Sequence, residues 1–377
     1  MGAVYLDCNA TTPIDPRVRE EVLRYLTEEF GNEGSRTHDY GVRARQAVQQ
    51  ARDQVGEGVG AKRDEVIFTS GATESNNLAI LGLAEYGEQT GRKHIISSQI
   101  EHKAVLEPLE ELASRGFDVT LVPPTSGGYI DPDTVRSAIR KDTLLVTVMQ
   151  VNNETGIRQP IDVIAELLAD HPAFFHVDAA QGFGKENMIL RNSRIDFISI
   201  SGHKIFGPKG VGALITRRRG YKRPPLKPLQ FGGGQERGLR PGTLPVPLIV
   251  GLGLASELAL REAAERALAC RSYREGVLKA LEPLGPVFNG DPEQELPHVL
   301  NLSFPGLDSE ALMLALKDII AISNGSACTS HSYQPSHVLK AMGLDHQIVQ
   351  GAVRISWCHL TEGPDWSAVA THIKKLL

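Results

Sequence analysis

The chain has 377 residues, of which 41% are hydrophobic and 23% are charged, so it can bury a large core and divide into two domains. Its formal net charge of -5 at pH 7 leaves no basic footprint for direct nucleic-acid binding, and no apolar stretch is long enough to cross a bilayer. The four cysteines lie far apart without a CxxC pair, and the N-terminal stretch MGAVYLDCNATT has no export signal. These features argue against a disulfide framework or a structural metal and indicate a reducing cytoplasm.

Strand and helix patterns alternate between about residue 65 and residue 216. Apolar runs predict seven strands, at residues 65–70, 94–98, 118–123, 143–151, 174–178, 196–200 and 211–216. Helical patterns lie between them, at residues 74–86, 104–115, 132–140 and 162–168. This alternation is typical of an α/β domain with a mostly parallel sheet covered on both faces. The last strand is expected to run antiparallel because its connection is short.

The pattern changes from about Val246 onwards. A long helix rich in Ala, Leu and Glu is predicted to run towards Leu281, where prolines break it. A strand, a helix and a strand follow, at residues 299–304, 309–317 and 319–323. We therefore expect a large domain of residues 16–255 and a smaller α/β domain formed by residues 1–15 and 256–377.

Ser70-Gly71-Ala72-Thr73 follows the first predicted strand of the sheet and opens a helix. The free N–H groups and the positive end of that helix can bind a phosphate, to which Thr73 would add a hydroxyl. Thr73 could equally be an ordinary N-cap residue.

Asp178 and Lys204 each lie at or just beyond the end of a predicted strand. Asp178 is a carboxylate in apolar surroundings, which needs a cationic partner such as a protonated heterocyclic nitrogen, or main-chain N–H groups. Lys204 follows the apolar run 197–200 and precedes a tight Gly-Pro loop. At the mouth of an apolar pocket a lysine has a lowered pKa and can form a Schiff base, whereas most lysines in loops are simply solvated.

The combination is more informative than any single motif. A helix end that binds phosphate, an acid for a ring nitrogen and a Schiff-base lysine are together what pyridoxal 5'-phosphate requires. The stretches Asn152 to Gly156 and Ile100 to His102, taken alone, are compatible with turn and surface positions.

The segments SGATESNN, EHKAVL, VNNETG, HVDAAQ, SGHKIFGPKGVG, ERGLRPGTLP and NGSACTS resemble those of the cysteine desulfurases. These are pyridoxal-phosphate enzymes of the class V aminotransferase family, with fold type I like that of aspartate aminotransferase. The similarity extends from YLDCNATTP to the arginine of VRIS, and the GSAC form resembles the branch that includes the IscS and NifS types.

The resemblance implies a role for each matching residue. Lys204 would bind the cofactor covalently, Asp178 would pair with its ring nitrogen, and His102 would stack on the ring and move protons. Asn153 and Arg354 would hold the substrate carboxylate, a task suited to the planar fork of arginine. The remaining cofactor contacts would come from Ala72, Thr73, Ser201 and His203 at the phosphate, Gln181 at the phenolic oxygen, Asn153, and Thr243 of the neighbouring subunit in a homodimer.

The presence of Cys328 is the feature that distinguishes a desulfurase from a transaminase of the same fold. The resemblance implies that it takes sulfur from L-cysteine as a persulfide, leaving L-alanine, and passes the sulfur to a protein acceptor. A cysteine in a small-residue stretch is also compatible with a buried apolar position, which is how we interpret Cys8, Cys270 and Cys358.

Other functions stay open at this stage. A selenocysteine lyase or an aminotransferase could share the fold, and a non-catalytic sulfur relay could use Cys328 alone. A Cys-His hydrolase pairing Cys328 with His331 or His337 lacks an oxyanion-hole motif.

The acceptor is expected to be an iron-sulfur assembly partner, a tRNA-thiolation relay or a system that places sulfur in the DNA backbone. Housekeeping members of this branch carry a longer C-terminal tail that meets the iron-sulfur scaffold, whereas this sequence stops at Leu377. This difference favours a specialised member, such as one that serves DNA phosphorothioation.

Overall fold

The computed structural model describes residues 2–324 and 335–377. Its strands, labelled β1 to β12 in chain order, are Val4–Tyr5, Val66–Thr69, His94–Ser98, Asp118–Val122, Thr143–Met149, Phe174–Asp178, Phe197–Ser201, Gly212–Thr216, Val287–Phe288, Val299–Ser303, Ile320–Ala321 and Ala352–Ser356. Its α-helices, labelled α1 to α14, are Pro16–Thr27, Asp39–Val59, Ala72–Leu81, Ala84–Thr90, Lys103–Ser114, Pro132–Ala138, Ile161–Leu167, Asn187–Leu190, Val246–Arg261, Ala263–Leu281, Ser309–Leu316, His337–Ala341, His346–Gln350 and Trp366–Lys374. Among the helices so described, none combines the length and the apolar character needed to cross a bilayer.

A seven-stranded sheet with the order β2-β8-β7-β6-β5-β3-β4 forms the centre of the large domain. Neighbouring strands from β7 to β4 pair in parallel, and β8 runs antiparallel to both β7 and β2. The predicted α/β class, the mostly parallel sheet and the antiparallel last strand are therefore confirmed. Parallel strands place their carboxyl ends at one edge, so the polar residues that follow β2, β6 and β7 lie close together.

Helices cover both faces of this sheet, which explains why its central strands are apolar throughout. One face packs against α1, α2 and α9 in a large hydrophobic core, and the other packs against α3 and α5 in a second core. The helix pattern of the sequence thus becomes two layers around a buried sheet.

The smaller domain has a hydrophobic core of its own. It joins Leu6 near the N-terminus to Leu300, Ile355, Trp357 and Ile373 near the other end of the chain. In this domain β10 lies between β9 and β12 in an antiparallel sheet, while β1 pairs in parallel with β11. The predicted boundary between residues 255 and 256 falls inside α9, and the exact division stays a prediction.

The pattern at residues 74–86, predicted as one helix, folds as α3 and α4. The carbonyl of Gly82 accepts a hydrogen bond from the main-chain N–H of Lys227 at 2.9 Å. The Gly82 carbonyl is therefore bonded to a distant segment and not to an amide one turn further along a continuous helix.

The long helix predicted from residue 246 to residue 281 is also divided, into α9 and α10. The break is at Glu262, whose backbone leaves helical geometry with φ -103° and ψ 8°. Its carboxylate accepts hydrogen bonds from Arg17 at 2.6 Å and from Arg266 at 2.9 Å. These contacts tie the break to the start of α1.

Candidate active site

The first element of the site is the N-terminus of α3, which follows β2. Its N-cap is Gly71, with φ 153°, so no side chain caps the first amides of this helix, and Thr73 is not the N-cap residue. Gly212 allows the close packing here, because a Cβ at that position would lie 2.6 Å from the Cα of Gly71. The exposed helix end therefore faces the sheet edge where β7 finishes.

Ser201 and His203 stand opposite this helix end. The Ser201 hydroxyl and Nδ1 of His203 are 3.0 Å apart. Burial and the nearby charges of Lys204 and Lys209 lower the pKa of His203 to about 4, so its imidazole is neutral at neutral pH. A neutral imidazole, a hydroxyl and free helix amides are hydrogen-bond partners suited to a phosphate.

Asp178 ends β6 and is 5% exposed. One carboxylate oxygen accepts from the Asn76 side chain at 2.7 Å, and the other accepts from the N–H of Ala180 at 2.9 Å. No salt bridge reaches Asp178 from residues 2–324 or 335–377. The carboxylate is therefore held in position while its charge is left for a cationic group.

Lys204 lies in a short 3-10 turn directly after β7. Its ammonium donates to the carbonyl oxygen of Ala10 at 2.9 Å and contacts that of Asn9. The Asn9 carbonyl also accepts from the Gln181 amide at 2.9 Å, and the Asn9 side chain donates to the carbonyl of Asn153 at 3.1 Å. The N-terminal segment thus orients the lysine and its neighbours.

His102 is the N-cap residue of α5, and its Nδ1 accepts the N–H of Ala104 at 3.0 Å. Because Nδ1 is an acceptor, the neutral imidazole carries its proton on Nε2. His102 also lines the cavity described below.

Arg354 enters the site from β12 of the smaller domain and is 3% exposed. Its guanidinium donates to the Asn153 carbonyl at 2.9 Å and to the Asp7 carboxylate at 2.6 Å. The Nε atom has no partner among the described residues. A substrate carboxylate can therefore bind to a guanidinium that Asn153 and Asp7 already orient.

One cavity of about 510 Å³ brings these residues together. It is lined by Ala72, Thr73, His102, Asn153, Asp178, Gln181, Ser201, His203, Lys204 and Arg354, all of them predicted site residues. Thr243 is exposed and does not line this cavity, and its role on a neighbouring subunit stays a prediction. Cys328 and His331 lie outside the described residues.

The cavity fits pyridoxal 5'-phosphate. Its lining includes the proposed phosphate partners Thr73, Ser201 and His203 together with Asp178 and Lys204. Three side-chain oxygens of cavity residues, on Asn9, Asn76 and Gln181, are buried without a partner in the part of the chain that the structure describes. Buried polar atoms of this kind require a bound polar group, so the residues present match a cofactor with several hydrogen-bonding positions.

Several contributors to the site were missed from the sequence. Asn9 and Ala10 hold Lys204, Asn76 holds Asp178, and Asp7 pairs with Arg354. All four lie inside the segments YLDCNATTP and SGATESNN, which carry the resemblance to the family. The sequence signal that could have found Asp7, Asn9 and Asn76 was a polar side chain within such a segment. Among the described residues no group of His, Cys, Asp or Glu could hold a metal ion.

Two buried glutamates flank the cavity residues His102 and Asn153. Glu101 accepts from the Ser98 hydroxyl at 2.5 Å, and burial raises its pKa to about 8. Glu154 accepts from the Ser336 hydroxyl at 2.5 Å, and burial raises its pKa to about 7, against the opposing effect of Arg354. Both carboxyls are therefore largely protonated at slightly acidic pH, and they add little negative charge beside the cavity.

Comparison with known sequences gives matches over almost the whole chain. The profile of the family "Aminotransferase class-V" matches residues 4–366. "Cysteine desulfurase IscS" of Methylococcus capsulatus is 47% identical over 372 residues, which cover 98% of this chain and 91% of that protein. The family match includes every element that lines the cavity.

Solved structures show the same similarity. A "NIFS-like protein" has a TM-score of 0.90 and is 38% identical, covering 100% of this chain and 98% of its own. DndA from Streptomyces lividans has a TM-score of 0.83 and is 52% identical, covering 93% of this chain and 98% of its own.

We expect Glu101→Gln to change the pH dependence of the free energy of unfolding. Burial raises the pKa of Glu101 from 4.5 to about 8, so the folded state keeps a proton that the unfolded state loses between these values. Wild-type stability therefore falls as pH rises through this window, by up to about 1.4 kcal/mol per pH unit from this group. The variant lacks this loss. In urea unfolding, its free energy of unfolding relative to that of the wild type should therefore rise between about pH 5 and about pH 8. A constant difference would show that Glu101 is ionised in the folded protein.

Proposed function

Because the chain belongs to the class-V aminotransferase family and to the cysteine desulfurases within it, we propose that its cavity converts L-cysteine to L-alanine and that Cys328 takes the sulfur as a persulfide. The observation that carries this proposal is the single cavity shared by Asp178, Lys204, Arg354 and the N-terminus of α3. The relatives do not favour the alternatives of a selenocysteine lyase or an aminotransferase.

The family depends on pyridoxal phosphate, which when bound supplies an aldehyde and an electron-withdrawing ring. The α3 amides, Thr73, Ser201 and His203 would hold its phosphate, and Gln181 its phenolic oxygen. Asp178 would keep a proton on its ring nitrogen, since that carboxylate has no salt bridge among the described residues.

The remaining residues act on the substrate. Arg354 and Asn153 orient its carboxylate, and the Lys204 amine accepts the proton from its Cα. His102 moves a proton through Nε2, because its Nδ1 is occupied by Ala104. The Cys328 thiolate attacks the substrate sulfur, so one sulfur–sulfur bond forms, the carbon–sulfur bond breaks, and L-alanine leaves.

The chain on either side of residues 325–334 is fixed beside the cavity. Ser323 pairs with Arg354, with main-chain hydrogen bonds of 2.6 and 3.2 Å. On the other side, the Ser336 hydroxyl donates to Glu154, and the His337 ring bonds the Glu101 carbonyl at 3.0 Å. Cys328 is four residues beyond Asn324, and an extended chain covers roughly 3.5 Å per residue. These anchors support a role for Cys328 at this site.

A homodimer forms part of the proposal, with Thr243 completing the site of the partner subunit. In the described chain Thr243 is exposed and outside the cavity of its own subunit. Residues 229–234, earlier in the same segment, are exposed, and the large hydrophobic side chains of Tyr221, Leu229 and Phe231 are all exposed in this part of the chain. A group of exposed apolar side chains supports a surface that a second subunit covers.

The sulfur acceptor is a specialised partner in our proposal, such as one that serves DNA phosphorothioation, rather than a general iron-sulfur scaffold. The 52% identity to DndA supports this choice, since the chain is 47% identical to the IscS relative. Deleting the gene should then remove sulfur from the DNA backbone and leave iron-sulfur enzymes active, and the opposite result would favour the scaffold. We also propose a cytoplasmic location, which cell fractionation can check.

Replacing Cys328 by alanine should reduce L-alanine formation from L-cysteine on the order of 10³-fold or more, because the nucleophile is removed. The visible absorbance of bound cofactor should persist, since Cys328 makes none of the proposed cofactor contacts. Cys270→Ala is the matched control, because Cys270 is a buried thiol that does not line the cofactor cavity. Retained turnover in Cys328→Ala, or an equal loss in both variants, would defeat the assignment.

Co-expression of Lys204→Ala and Thr243→Ala chains tests the shared site. Each variant alone should be nearly inactive. If Thr243 acts on the partner subunit, a mixed dimer has one site with both defects and one intact site. Random pairing should therefore restore about a quarter of the wild-type sites. Recovery no greater than the sum of the two single variants would place Thr243 on its own subunit or rule out the dimer.

A further inference from the structure

Three cysteines that are distant in sequence line a second cavity, of about 100 Å³, on another side of Lys204. Cys8, Cys270 and Cys358 are 5%, 7% and 6% exposed and are free thiols. This cavity has neither Asp178 nor the α3 N-terminus in its wall, so it is distinct from the cofactor site. The mechanism proposed above uses none of these thiols.

The fold holds Cys8 and Cys358 against each other. The main-chain N–H of Cys8 donates to the carbonyl of Ser356 at 3.0 Å, which places β12 and its following residues beside the N-terminal segment. Cys8 and Cys358 belong to one small buried cluster with Phe206. The Thr361 hydroxyl accepts the N–H of Cys358 at 2.9 Å and donates to its sulfur at 3.5 Å. The Cys358 sulfur therefore has a hydroxyl donor as well as the neighbouring Cys8 side chain.

This geometry makes the two thiols unequal. Interaction with Cys8 and the hydrogen bond from Thr361 lower the pKa of Cys358, whereas interaction with Cys358 and burial raise the pKa of Cys8. Lys185 lines the same cavity as the three cysteines, donates to the Gln181 carbonyl at 2.9 Å, and has its pKa lowered by burial to about 8. A thiolate beside a cation, next to a neutral thiol, is the arrangement found in reactive dithiols.

We infer that Cys8 and Cys358 form a redox-active dithiol, a modification site whose oxidant is a small peroxide. The Cys358 thiolate attacks one peroxide oxygen, so a sulfur–oxygen bond forms, the oxygen–oxygen bond breaks, and hydroxide leaves to become water. The Cys8 sulfur then attacks the Cys358 sulfur, forming the disulfide, while the Cys8 proton and the departing hydroxide give a second water. Two thiols and one peroxide thus yield one disulfide and two waters.

Oxidation at this site changes the cofactor cavity through Asn9, the residue after Cys8. The Asn9 carbonyl contacts the Lys204 ammonium and accepts from Gln181 at 2.9 Å. Drawing the Cys8 sulfur from its non-bonded position beside Cys358 to the disulfide length of about 2.05 Å moves the main chain at its neighbour. The disulfide therefore alters how Lys204 is held, although neither cysteine touches the substrate.

The test treats the purified full chain with an equimolar amount of hydrogen peroxide, alkylates the remaining thiols and analyses peptides by mass spectrometry. We expect a peptide pair joined through Cys8 and Cys358, a loss of about 2 Da from two hydrogens, and full reversal by a dithiol reductant. The number of alkylated cysteines should fall from four to two. This measurement needs no variant, so it does not depend on whether a mutant folds.

Two variants sharpen the result. Cys270→Ser should form the disulfide as the wild type does, since Cys270 shares the cavity but burial raises its pKa to about 12. In Cys8→Ser, treated with at least two equivalents of hydrogen peroxide, oxidation of Cys358 should proceed to the sulfinic acid, because the thiol that resolves the sulfenic acid is missing and a second peroxide oxidises it further. The inference is overturned if no disulfide forms, if the linkage includes Cys270 or Cys328, or if Cys358 is over-oxidised equally with and without Cys8. None of these readouts depends on desulfurase activity, so the proposed function stands or falls separately.

Discussion

The ammonium of Lys204 is held by main-chain carbonyls that lie slightly more than half the chain length away in sequence. The Ala10 carbonyl accepts at 2.9 Å across a separation of 194 residues, and Asn9 contributes a second contact. The same segment is held by β12, since the N–H of Asn9 donates to the Ser356 hydroxyl at 2.9 Å. The N-terminal segment, the large sheet and the smaller domain must therefore all be in place before the lysine is oriented.

The cavity has two groups of residues that can bind an anion, one around the N-terminus of α3 and one around Arg354. At the phosphate end His203 is neutral and no side chain caps the first amides of α3, so an anion meets hydrogen-bond donors. The Glu74 carboxylate in the first turn of α3 is paired with Arg240 and accepts the N–H of Ser70. The guanidinium of Arg354 is balanced by Asp7, which keeps a buried cation tolerable before substrate arrives. Burial raises the pKa values of Glu101 and Glu154, which limits the negative charge near the substrate end. The site therefore accepts two anionic groups, and it leaves Asp178, which has no salt bridge among the described residues, for a cation.

Local patterns in the sequence predicted the sheet well. The strands His94–Ser98 and Phe174–Asp178 have the predicted bounds, because a buried parallel strand is a short apolar run that ends where polar residues meet the sheet edge. The resemblance to a family supplied the residues that line the cavity. Contacts between distant segments could not be predicted in this way. Asn76 binds Asp178 across 102 residues, and the break at Gly82 depends on Lys227.

The cysteines show the same limit most clearly. Considered one at a time in the sequence, Cys8 and Cys358 are interpreted as small buried residues. Their distance along the chain does not indicate that they lie in one cluster. Their contact follows from the pairing of Asp7 with Ser356, which only the folded chain provides. Because Asn9 links this pair to Lys204 and Gln181, the dithiol and the cofactor cavity are coupled, and such coupling is reciprocal. If the disulfide weakens cofactor binding by some factor, bound cofactor must oppose formation of the disulfide by the same factor. The loaded enzyme would then keep its thiols reduced at peroxide levels that oxidise the empty one.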